Sequence, residues 1–104
     1  MFSLDDLAQI IASRAQAGAD KSYTKALLDK GASACARKFG EEAIEFVIAA
    51  VSEDNAAVKG EAADVLYHLL VALQARGVAL ADVLAELEQR TGRSGLEEKA
   101  SRKP

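Results

Sequence analysis

The chain has no tryptophan, one histidine, one cysteine and one proline, and only five aromatic residues in 104. Each scarcity excludes something. The proline is Pro104, so no proline breaks or kinks a helix along the chain. A single cysteine, Cys35, rules out an intrachain disulfide and makes a reducing, cytoplasmic compartment the simplest reading. Between Ala34 and Ala36 it has no activating neighbour and is expected to be a buried, inert thiol. Thirteen basic residues against sixteen acidic give a net charge of −3, which offers no broad nucleic-acid footprint. The longest apolar run, Val65 to Leu73, is interrupted by His68 and is too short to cross a bilayer. Asp5 and Asp6 stand where a signal peptide would carry base, so a soluble, cytoplasmic protein is expected, with no membrane partner. No Gly-x-x-x-x-Gly-Lys loop is present, so any phosphate must be held by metal and side chains.

What remains is rich in alanine, leucine and valine, with half of all residues hydrophobic, a composition that favours helices. One domain of this size is marginal enough that an oligomer would help it bury apolar surface. The pattern predicts an all-α bundle of four main helices plus a short one. Ser3 is a plausible N-cap for a first helix with Leu4, Leu7, Ile10, Ile11 and Ala15 on one side, ending near Gly18. Residues 18–25 read as a polar loop, followed by a short helix from Lys25 to Lys30. A long helix capped by Ser33 and running to about Val51 would face inward through Ala43, Phe46, Val47 and Ala50. The next, capped by Asn55, would use Leu66, Leu69, Leu70 and Leu73 and stop at Gly77. Leu80 to Arg90 forms the last helix, with Val83, Leu84 and Leu87 inward. The domain is expected to span 1–90, and 91–104 to form a polar tail.

Four carboxylates carry the chemistry. Glu42/Glu45 and Glu61/Asp64 are each spaced i, i+3, so each pair shares one helix face. Residue 53 is the midpoint of Glu45 and Glu61 and also of Glu42 and Asp64. If 52–55 is the turn of a helical hairpin, the two pairs stand level, roughly 10–14 Å from that turn at a rise of about 1.5 Å per residue. Lys38 and His68 share the same midpoint and should face each other beyond the acids. Apolar neighbours surround the acids (Ala43, Ile44, Phe46 and Val47; Ala62, Ala63, Val65 and Leu66), and carboxylates in such a setting need a cation or donors. All-oxygen ligation suits Mg²⁺ or Mn²⁺ better than Zn²⁺. A di-iron bundle would use Glu-x-x-His pairs, whereas the third residue after Glu61 is Asp64. The bland alternative is a solvated acidic face.

Glu42-x-x-Glu45, fifteen residues, then Glu61-x-x-Asp64 resembles the signature of the all-α, MazG-like nucleotide pyrophosphohydrolases. Ser22-Tyr23-Thr24, Lys38-Phe39-Gly40-Glu41-Glu42-Ala43, Ala63-Asp64-Val65-Leu66-Tyr67-His68-Leu69-Leu70-Val71 and Ser94-Gly95-Leu96-Glu97-Glu98-Lys99 narrow this. They resemble the phosphoribosyl-ATP pyrophosphohydrolases of histidine biosynthesis, over nearly the whole chain and in the same order. The family often has lysine where Ala34 and Val51 stand, so a phosphate contact from either position is missing or supplied elsewhere. The companion cyclohydrolase, sometimes fused, has no counterpart.

The resemblance implies a homodimer that cleaves phosphoribosyl-ATP between its α and β phosphates, giving phosphoribosyl-AMP and pyrophosphate, the second step of histidine biosynthesis. Glu42, Glu45, Glu61 and Asp64 would hold Mg²⁺, with Glu42 or Glu45 favoured as general base if one serves so. Lys38 is the first choice for a phosphate contact. Ser22, Tyr23 and Thr24 would orient substrate through hydroxyls, and His68 would face it. For Ser22 the alternative is capping the short helix; for His68 it is packing between helices. Lys99 and Arg102 of the tail are further candidates for phosphate. Two other functions are weighed: a house-cleaning hydrolase of free nucleoside triphosphates, and a non-catalytic helical dimerisation module.

Overall fold

The computed structural model describes residues 1–16 and 22–92. These fold into five helices with no strand among the described residues: α1 (Leu4–Arg14), α2 (Tyr23–Asp29), α3 (Ala32–Ser52), α4 (Asn55–Arg76) and α5 (Leu80–Thr91). The all-α expectation holds. The tail motif from Ser94 to Lys99, with Arg102, lies outside the described residues, as does most of the expected loop; residues 23–25 belong to α2.

Local chemistry sets the boundaries. Ser3 caps α1 in a reciprocal box: its Oγ accepts from Asp6 N and its own N–H donates to Asp6 Oδ2, both at 3.0 Å. The helix ends at Arg14, short of Gly18. α4 closes where Gly77 turns left-handed at φ 75°, and Val78 N donates back to Leu73 O at 3.0 Å. Two caps differ from expectation. Gly31 at φ 94°, with no side-chain bond, precedes α3 in place of Ser33, and Asp54, accepting from Ala57 N at 2.9 Å, caps α4 in place of Asn55. The connection between the two long helices is therefore only two residues, Glu53-Asp54.

α3 and α4 form the predicted antiparallel hairpin and make the most extensive contact among the described helices. α1 and α2 pack on α4, and α5 rests against α1. Ile11, Leu27, Cys35, Leu70 and Val71 form the core, with Tyr67, Leu73 and Leu80 packed around it. Cys35 is buried, its Sγ donates to Leu27 O at 3.2 Å, and burial pushes its thiol pKa up, as an inert thiol requires.

The inward faces of two helices need correction. On α3 the buried residues are Cys35, Glu42 and Ala49, whereas Val47 is 57 % exposed and Ala50 is exposed. On α5 no residue is buried; Leu84 and Leu87 are exposed. An apolar stripe identifies a face that wants cover, and α3 presents its acidic stripe, not its most apolar one, to α4. Leu66 on α4 is likewise exposed. No single described helix is long and apolar enough to cross a membrane.

Candidate metal centre

The hairpin brings Glu42, Glu45 and Glu61 together, each offering a carboxylate oxygen within 4.8 Å of the others. Equal spacing from the turn explains the meeting of Glu45 with Glu61, and the i, i+3 step adds Glu42. Glu42 is buried, Glu61 half-buried and Glu45 exposed, so the cluster opens from the hairpin interior to solvent. Asp64 is exposed and falls outside this set of three.

Three carboxylates in contact repel one another, and the structure records the cost at Glu61. Its Oε1 is buried without a hydrogen-bond partner. Desolvation, then the charges of Glu45, Asp64, Glu42 and Glu53, raise its pKa above the ordinary glutamate value. A buried, unpartnered oxygen on a carboxylate that is clustered with two others is the environment a hard divalent cation relieves, so these residues fit the ion that the sequence implied.

Lys38 borders the cluster. Its Nζ lies 3.2 Å from Glu42 and 3.8 Å from Glu41. The hydrogen bond to Glu42 and that residue's charge raise the lysine's pKa, keeping it cationic beside the carboxylates. His68 is buried, and its Nδ1 has no partner. Desolvation lowers its pKa; the charges of Glu42 and Asp64 oppose that shift, and the charge of Lys38 adds to it.

The α2 residues arrive by a different route. Ser22 caps α2, its Oγ accepting from Lys25 N at 3.1 Å. Thr24 is buried and its hydroxyl is bonded to Tyr67 OH at 2.5 Å, pinning α2 to α4. Tyr23 remains 58 % exposed, its ring stacked on Tyr67 at 6.3 Å and edge-on to His68 at 6.2 Å. Tyr67 organises this aromatic group: beside its stack with Tyr23, its ring stands edge-on to His68 at 4.9 Å.

The fold and the site together define an all-α protein with a carboxylate cluster suited to a divalent cation on a helical hairpin. The sequence pattern of the phosphoribosyl-ATP pyrophosphohydrolases matches residues 4–91. The chain is 61 % identical to phosphoribosyl-ATP pyrophosphatase 1 of Bradyrhizobium diazoefficiens over 98 % of its own length and 96 % of the relative's. It is 60 % identical to phosphoribosyl-ATP pyrophosphatase 1 of Rhodopseudomonas palustris, over 98 % and 95 % of the two lengths. With phosphoribosyl-ATP pyrophosphatase of Azorhizobium caulinodans it shares 61 % over 96 % and 92 %. The chain belongs to the phosphoribosyl-ATP pyrophosphohydrolase family. It is thus a hydrolase, and the non-catalytic helical module is set aside.

Proposed function

We propose that this chain hydrolyses phosphoribosyl-ATP to phosphoribosyl-AMP and pyrophosphate at a divalent cation, Mg²⁺ or Mn²⁺, held by Glu42, Glu45 and Glu61. The reaction is a step of histidine biosynthesis. The observation that carries the reading is the convergence of the three carboxylates, with Glu61 keeping a buried, unpartnered oxygen.

When bound, the cation supplies positive charge to the phosphate oxygens and acidifies water for attack at neutral pH. The chain's own residues do the rest. Glu42, Glu45 and Glu61 bind the ion. Asp64, one turn along α4 and outside the cluster, is free to accept a proton from the attacking water or to join as a fourth ligand, relieving Glu42 and Glu45 of the base's role. Lys38, cationic and tethered to Glu42, contacts the phosphates and offsets charge as pyrophosphate departs. Tyr23 offers an exposed ring to the substrate's base beside His68. Ser22 accepts the cap bond and still has its own proton to donate to substrate. Thr24, through Tyr67, holds α2 against α4 so that these groups stay in place.

The active unit is a homodimer. Ile44, Val47, Ile48 and Val51 recur at i, i+3, i+4, i+7 on the side of α3 away from the acids, each at least half exposed. A buried free thiol suits a reducing, cytoplasmic setting. Comparing kcat/KM for phosphoribosyl-ATP and ATP tests the substrate: the reading predicts strong preference for phosphoribosyl-ATP. Equal efficiency would instead favour a general nucleoside triphosphate hydrolase.

A further inference from the structure

A cavity of about 190 Å³ opens where the end of α2 meets the first turns of α3, lined by Leu27, Lys30, Ala34, Arg37, Lys38 and Glu41. The α3 members are spaced i, i+3, i+4, i+7 and so form one face. Three cations here oppose one carboxylate, on a chain whose net charge is −3. Glu41 and Lys38 are already paired, at 3.8 Å. Among the described residues neither Lys30 nor Arg37 has an ion-pair partner. Ala34 puts only a methyl group into the cavity, leaving room for a ligand. Two uncommitted cations over a concave surface with an apolar floor make a receptor for a phosphate monoester, with the planar Arg37 fork able to take two oxygens at once.

We infer that this cavity binds the 5-phosphate of the substrate's phosphoribosyl arm and so distinguishes phosphoribosyl-ATP from ordinary nucleoside triphosphates. The inference rests on the metal-centred reading above. Phosphoribosyl-ATP carries phosphate at both ends: the triphosphate that is cut, and a lone monoester on the ribose attached to the base. Lys38 lies between the carboxylates and the cavity, contacting Glu42 on one side and lining the cavity on the other. Arg37 and Ala34 stand about 7.5 and 12 Å along α3 from Glu42, at a rise of about 1.5 Å per residue. The β and γ phosphates begin at the bond being cut and stay near the cation. The monoester at the opposite end of the substrate is the phosphate that reaches the cavity's outer half.

The test uses wild-type protein, Arg37→Ala, Lys30→Ala and Ala34→Glu, which places a carboxylate in the cavity. Phosphoribosyl-ATP turnover is measured with phosphoribosyl-AMP, AMP and pyrophosphate as inhibitors, and melting temperatures verify folding. The expected result for Arg37→Ala and Lys30→Ala is a KM for phosphoribosyl-ATP raised roughly ten-fold, exceeding any fall in kcat. The inhibition constant for phosphoribosyl-AMP rises in parallel, those for AMP and pyrophosphate hold, and Ala34→Glu has the larger effect. A rise confined to pyrophosphate would assign the cavity to the leaving group and overturn the inference. So would unchanged constants in folded, active variants. Wild-type protein that releases no pyrophosphate from phosphoribosyl-ATP would instead remove the underlying reading, and this inference with it.

Discussion

Replacing Ile48 with glutamate should separate the proposed homodimer into folded monomers. The side chains of Ile44, Val47, Ile48 and Val51 are 63, 57, 50 and 79 % exposed in the isolated chain. Full burial of a valine or isoleucine is worth about 1.5–3 kcal/mol, so covering the exposed part of each recovers about 1–2 kcal/mol. Two-fold symmetry doubles the set, giving a gross gain of about 8–16 kcal/mol from this stripe. That is comparable to the association cost of about 4–15 kcal/mol, and Leu66, Leu84 and Leu87 are exposed apolar reserve. Ile48→Glu removes two of the eight contributions and asks two carboxylates to leave water, a combined loss of at least about 4 kcal/mol. The dissociation constant should therefore rise about a thousand-fold or more. Light scattering coupled to size exclusion at micromolar protein reads the outcome directly. Wild type should run at about 22 kDa, twice the 11.0 kDa chain, and Ile48→Glu near the monomer mass with its helical circular dichroism retained. A wild-type monomer, or a variant that stays dimeric, would refute the assignment of this face.

His68 is the sole histidine, so its imidazole gives one NMR titration. Burial lowers its pKa, so it should titrate below 6.5; a value at or above 6.5 would contradict the buried placement. Because the folded state resists protonation there, His68's contribution to stability is present above pH 6.5 and is lost as pH falls through the lowered value. His68→Gln should flatten that part of the stability profile in thermal melts. Thr24→Val and Tyr67→Phe each leave a partner hydroxyl unpaired, so each should cost about 1–3 kcal/mol in urea unfolding. The double variant should cost less than their sum; strict additivity would argue against the bond. Ile11→Ala, at a position 1 % exposed, should cost about 2–5 kcal/mol and lower the melting temperature by at least about 8 °C.

Features governed by helix pitch alone were legible in the sequence. Glu45 and Glu61 lie equidistant from residue 53, and any antiparallel hairpin turning there must bring them level. Ser3 and Gly77 were legible because a cap and a left-handed glycine act within one turn of the chain. The caps of α3 and α4 slipped by one or two residues because Gly31 and Asp54 were competing local solutions for the same boundary. The inward face of α3 was misread for a different reason. Val47 and Ala50 looked like core because they are apolar, yet burial within one chain selected the stripe of Cys35, Glu42 and Ala49. Hydropathy marks a surface that wants cover without saying which chain provides it. The Thr24–Tyr67 bond spans 43 residues and depends on how α2 docks on α4, which no local spacing encodes. The cavity at Lys30 and Arg37 escaped notice because its members come from the end of one helix and the start of another.

The central claim is that Glu42, Glu45 and Glu61 form the cation-dependent centre of phosphoribosyl-ATP hydrolysis. Pyrophosphate release from phosphoribosyl-ATP, with and without Mg²⁺, by wild type and Glu61→Gln tests it most directly. The account predicts release by wild type only with the metal, and at least about a hundred-fold loss in a folded Glu61→Gln protein. Metal-independent release, or a Glu61→Gln variant with wild-type activity, would contradict it.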